Sequence, residues 1–114
     1  MSNMQFDKTT YAGDVQIVKR SPKEAIAMTL DFSDVTAKTS DGRKIVKAGT
    51  PIGKTGKVDN TATVIGILQF DVTEDRPQGV ILKKAYIDKS VAEKHSGVTY
   101  AEGVTTALPM IVFE

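Results

Sequence analysis

Apolar residues alternate with polar ones along most of the chain, and continuous apolar runs are short. Val15 and Ile17 alternate with polar neighbours, and over Ala25–Phe32 the side chains of Ile26, Met28, Leu30 and Phe32 fall on one side, so both stretches predict strands. Arg20-Ser21-Pro22 between them predicts a turn, because proline fixes φ and biases the preceding residue away from helix. Ser40-Asp41-Gly42 predicts a tight turn with positive φ at the glycine, followed by a short strand around Ile45-Val46 and a glycine- and proline-punctuated bend over Ala48–Gly53. Thr63–Val72 is rich in β-branched residues and opens with an unbroken apolar run, the pattern of a strand buried on both faces. Gly66 within it weakens a strand unless another backbone or a bulky side chain presses close, so close packing or a bulge is expected there.

A turn over 73–79 leads to a second strong strand, Val80–Ile87. The segment Ser90–His95 invites a helix, with Ser90 as N-cap, Glu93 at capping-box spacing and Gly97 to end it. Met110–Phe113 predicts a closing strand. The expected fold is therefore all-β with one short helix, a small barrel- or sandwich-like domain rather than alternating βαβ units. Residues 15–114 form that domain, and residues 1–14 precede it as a polar segment carrying the isolated aromatics Phe6 and Tyr11. It reads either as a docking arm or as a frayed terminus.

A chain of 114 residues suits one domain with a real core. Fifteen basic and fourteen acidic residues leave a formal charge of +1, no surplus for neutralising a phosphate backbone, so nucleic acid is not an expected partner. Lysines such as Lys54, Lys57, Lys83 and Lys84, with Arg43, read as solvated surface. There is no cysteine and no apolar run approaching the roughly 20 residues of a spanning helix, so neither disulfides nor a membrane is expected.

Candidate chemistry is sparse. Gly49–Thr55 has a superficial likeness to a phosphate-binding loop, but three residues rather than four separate Gly49 from Gly53 and no helix start follows. His95 is the sole histidine. Hydrolysis by His95 with a neighbouring carboxylate is one reading of it; a side chain at the carbonyl end of a helix, where positive charge is favoured, is the simpler one. The carboxylates Asp31, Asp34 and Asp41, and again Asp71, Glu74 and Asp75, lack the ligand order of a calcium loop and read as solvated turn residues. No cofactor, no metal and no enzymatic activity are expected. A sugar- or small-ligand-binding barrel is a further reading, against which the absence of tryptophan and the presence of only three tyrosines weigh.

Ala48-Gly49-Thr50-Pro51-Ile52-Gly53-Lys54, then Ala62–Val72 with Gly66-Ile67-Leu68 and Asp71-Val72, then Gly79–Asp88 and the ending Ala107–Phe113, occur in an order that resembles the head-decoration proteins of lambda-type tailed phages, over roughly residues 45–114. The base domains of phage head-fibre proteins are similar in the same way, and the sequence does not separate the two. The resemblance implies a β-tulip domain that trimerises over threefold positions of the expanded shell and cements subunits of the major capsid protein from its outer surface, after synthesis in the bacterial cytoplasm. It further implies an N-terminal arm docking on the capsid through Met4, Phe6, Tyr11, Val15 and Ile17, residues 4–18 adding a strand to a capsid sheet edge. Pro51, Ile52 and Met110 are the residues expected at the contact between copies.

Overall fold

A computed structural model describes residues 16–114; the expected arm over 1–14, with Met4, Phe6 and Tyr11, and also Val15, lie outside the described residues. The described chain is mostly β, as the alternation predicts. Its strands are β1 (Val18–Thr29), β2 (Ile45–Val46), β3 (Pro51–Gly53), β4 (Val64–Leu68), β5 (Val72–Thr73), β6 (Gln78–Ile87) and β7 (Ile111–Phe113), with helices α1 (Lys89–Ser96) and α2 (Glu102–Ala107) between β6 and β7. The main sheet runs β1-β6-β4-β3, antiparallel throughout, and β7 adds in parallel to the far half of β6. It is open rather than closed into a barrel. A separate antiparallel ribbon joins β2 to β5.

The core lies on both faces of the two central strands. Ile67 pairs with Leu82 and Leu68 with Ile81, so each cross-strand pair shares a face and adjacent pairs face opposite ways. Ile67 and Leu82 look into a cluster with Ala92 of α1, Val104 of α2, Tyr100, Leu108 and Ile111. Leu68 and Ile81 look into a second cluster with Leu30, Ile52 and the ribbon residues Val46 and Val72. Helices thus cover one face and the small ribbon the other, which is why the run Val64–Leu68 is apolar without alternation. Gly66 is where the expected close approach occurs: a Cβ there would stand 2.5 Å from the Leu82 carbonyl oxygen and 2.6 Å from Ile81 Cγ2.

Three expectations are corrected. Arg20-Ser21-Pro22 is not a turn between two strands; β1 runs through it, with the Ser21–Pro22 peptide bond cis. Arg20 opposes Tyr86 and Glu24 opposes Lys84, so Ser21, Pro22 and Lys23 face Ala85 alone in a bulge, where a proline without an N–H is tolerated on an edge strand. The helix N-cap is Asp88 rather than Ser90: Asp88 Oδ1 accepts from the Val91 N–H, and Ser90 Oγ donates to the same oxygen. Gly97 closes α1 as expected, at φ +77°. Finally, α2 is a second helix where none was expected, because Glu102-Gly103-Val104-Thr105-Thr106-Ala107 holds a glycine and three β-branched residues of low helix propensity. Its turn forms because Val104 is fully buried against the sheet.

Candidate functional site

The turn Ala48-Gly49-Thr50 is the point at which the sheet, the ribbon and the helices meet. The Gly49 N–H donates to the Leu68 carbonyl at 2.8 Å and the Leu68 N–H donates to the Thr50 carbonyl at 2.9 Å, fixing the turn to the end of β4. Gly49 sits at φ +94°, and a Cβ on it would meet the Ala92 carbonyl oxygen at 2.6 Å, so α1 presses directly on its backbone. The Tyr100 hydroxyl donates to the Gly49 carbonyl oxygen at 2.6 Å. The Tyr100 ring packs against Phe113 of β7 with centroids 4.9 Å apart at 53°. Burial, with the Glu93 charge adding to it, raises the phenol well above its ordinary range and keeps it a donor.

Asp71, in the link from β4 to β5, completes the clasp. Its Oδ1 accepts from the Ala48 N–H at 2.7 Å and lies 2.8 Å from Nε2 of His95, in the last turn of α1. Both side chains are largely shielded from water, 14% exposed for Asp71 and 18% for His95. The sole histidine therefore does have a carboxylate neighbour, and the pair joins α1 to the loop that carries the ribbon. Among the described residues, no hydroxyl stands in series with the imidazole: Thr50 Oγ1 donates to the Lys47 carbonyl, and Ser96 Oγ to the Glu93 carbonyl. The geometry is that of a structural clasp, with one carboxylate oxygen shared by a backbone donor and a ring nitrogen.

Beside the clasp lies a cavity of about 570 Å³ between the loop 31–37, β2, the turn at Lys57-Val58 and the end of α1. Its inner wall includes the buried Val46 and Thr50; Lys47, Val58 and Lys94 on its boundary are exposed. Lys57 Nζ pairs with Asp34 at 3.1 Å, a contact that raises the lysine above its ordinary range, Asp34 acting before Asp31. Asp31 is held below the usual carboxylate range by the Ser33 N–H, which donates to Oδ1 at 2.9 Å.

No protein-family model, no curated protein and no solved structure matches this chain.

Of the residues expected to reach a capsid, Ile17 is the one described, and it is 1% exposed in the helix-side core; its carbonyl accepts from the Asp88 N–H. Val18 likewise pairs with Ile87. The side chains of residues 17 and 18 are thus packed inside the domain rather than offered as anchors to a partner. Of the residues expected between copies, Pro51 and Ile52 are fully buried in the protomer and have no surface to give, because β3 is covered on both sides; Met110 is 56% exposed. The glycine-rich stretch 49–55 is a turn, a short strand and a second turn, with no helix to aim at a phosphate. The cavity itself had no signature in the sequence: Asp31, Asp34, Lys57 and His95 read there as turn, surface and helix-end residues, and the lining is assembled from four segments, each ordinary by itself.

Proposed function

We propose that this chain is a structural decoration protein of a tailed-phage head, binding the outer surface of the expanded shell as a trimer and cementing neighbouring subunits of the major capsid protein. What carries the reading is the set of segments that resemble lambda-type decoration proteins. The Ala48-Gly49-Thr50 turn, the strand through Gly66-Ile67-Leu68 and the strand Val80–Ile87 lie together in the main sheet and supply both of its core clusters, with the Tyr100 and Asp71 contacts holding the turn. They are coupled to one another rather than being separate plain β patterns. The long edge strand β1, exposed from Lys19 through Ala27, directly follows the segment proposed to dock on the capsid.

The energetics suit cement rather than catalysis. Each docking site is weak, and joining three in a trimer makes the second and third contacts intramolecular, at high effective concentration. Binding the expanded shell better than the unexpanded one then stabilises the expanded state, since a ligand shifts an equilibrium only by its differential affinity. The test is to add the purified full-length protein to expanded, undecorated heads of the phage that encodes it. Saturable attachment at threefold positions, lost on deleting residues 1–14, is the expected result; no attachment at saturating protein overturns the proposal.

A further inference from the structure

We propose that the cavity beside the His95–Asp71 clasp is a binding site for a small amphipathic monoanion, an aliphatic chain ending in a carboxylate. The inference stands apart from the capsid reading and rests on the cavity's size, its apolar wall and its charge. A volume of about 570 Å³ lies within the range of small-molecule sites. Val35, Ile45, Val46, Val58 and Val98 line it from four segments, and Val58 keeps 47% of its surface exposed, so the apolar wall continues out to solvent. An aliphatic chain laid along that wall removes apolar surface from water on both partners.

Charge chooses the head group. Lys47, Lys57 and Lys94 line the cavity against Asp31 and Asp34, which leaves an excess of one positive charge. Lys57 is committed to Asp34 at 3.1 Å, and Asp31 accepts the Ser33 N–H. Among the described residues, no carboxylate forms an ion pair with Lys47 or Lys94. A single carboxylate head reaching these two lysines neutralises the excess, whereas a cationic head meets like charge. His95 contributes wall rather than head-group recognition, since its Nε2 is engaged by Asp71.

The experiment is a titration of the full-length protein with octanoate, below its aggregation range, followed by amide chemical shifts. Saturable shifts confined to the cavity residues, with a Kd of about 1 mM or tighter, are expected. Lys47→Glu/Lys94→Glu weakens octanoate binding by about fivefold or more, and octan-1-ol binds the unaltered protein correspondingly less well than octanoate. Val58→Asp, at an exposed position where folding is not at stake, weakens octanoate too; a matched urea midpoint for each variant confirms that the fold is intact. The proposal is overturned by an absence of saturable shifts, by shifts spread over the exposed apolar residues Ile26, Phe70 and Val112, or by equal affinities for octanoate and octan-1-ol that the lysine variants leave unchanged.

Discussion

The Tyr100 hydroxyl reaches across 51 positions of sequence to donate to the Gly49 carbonyl oxygen at 2.6 Å, and it does so from a ring 7% exposed. That bond ties the segment following α1 to the turn preceding β3. Because the carbonyl lies inside the protein, losing its donor leaves an acceptor that water reaches poorly.

Tyr100→Phe is therefore expected to cost about 1–2 kcal/mol, the penalty of an unpaired buried acceptor, with the aromatic packing on Phe113 retained. Urea denaturation checks it: the midpoint falls while the m-value stays constant. Gly49→Ala is more severe, about 3 kcal/mol, since it combines strain at φ +94° with a Cβ 2.6 Å from the Ala92 carbonyl oxygen.

The same phenol predicts an alkaline limit. Burial raises its folded-state pKa above the ordinary value of about 10, so in strong alkali the unfolded chain releases a proton that the folded chain keeps. Its contribution is complete below pH about 10 and declines as pH rises beyond, by up to about 1.4 kcal/mol per unit. Unfolding free energies measured at stepped alkaline pH should show this slope in the unaltered protein and a flatter one in Tyr100→Phe.

Much of this architecture is legible in the sequence where a residue's own chemistry dictates its surroundings. The unbroken apolar run around Ile67-Leu68 signals a strand covered on both faces, and Asp41-Gly42 signals a turn whose glycine takes φ +88°. Gly97 closes its helix for the same reason. Legibility ends where tertiary contacts override local preference. Ser21-Pro22 reads as a turn because its ladder partner on β6 is more than 60 residues away and invisible locally. Helix α2 reads as nothing because only the burial of Val104 sustains it. Ile17 looks like a surface anchor beside a polar segment, yet the α1–α2 face of the sheet takes it in. The clasp hides for a similar reason: His95 and Asp71 carry no spacing motif, and their 2.8 Å contact is created by the packing of α1 against the turn.

Gly66 and Gly42 together separate steric from conformational demands on glycine. Alanine at position 66 would stand 2.5 Å from the Leu82 carbonyl oxygen in the middle of the sheet, and is expected to cost about 3 kcal/mol or to prevent folding. Alanine at position 42 meets nothing within 4 Å and incurs only the strain of φ +88°, about 1–2 kcal/mol. Parallel urea melts of the two variants check the ranking; equal costs would mean that β4 moves away from β6 without penalty.

Asp71 should matter more than its histidine partner. Asp71→Ala removes the acceptor of the Ala48 N–H, on a residue that is 0% exposed, as well as the contact with His95, so about 2–3 kcal/mol is expected. His95→Ala removes only the second contact, at about 1 kcal/mol. A double-mutant cycle isolates the shared term, which should be about 1 kcal/mol, while the remainder of the Asp71 effect persists in the His95→Ala background because it belongs to the Ala48 bond. Asp71→Asn keeps an oxygen that can accept from both partners and removes the charge. Its retention of most of the stability would assign the clasp to hydrogen bonding, and a loss as large as that of Asp71→Ala would show that both contacts depend on the carboxylate itself.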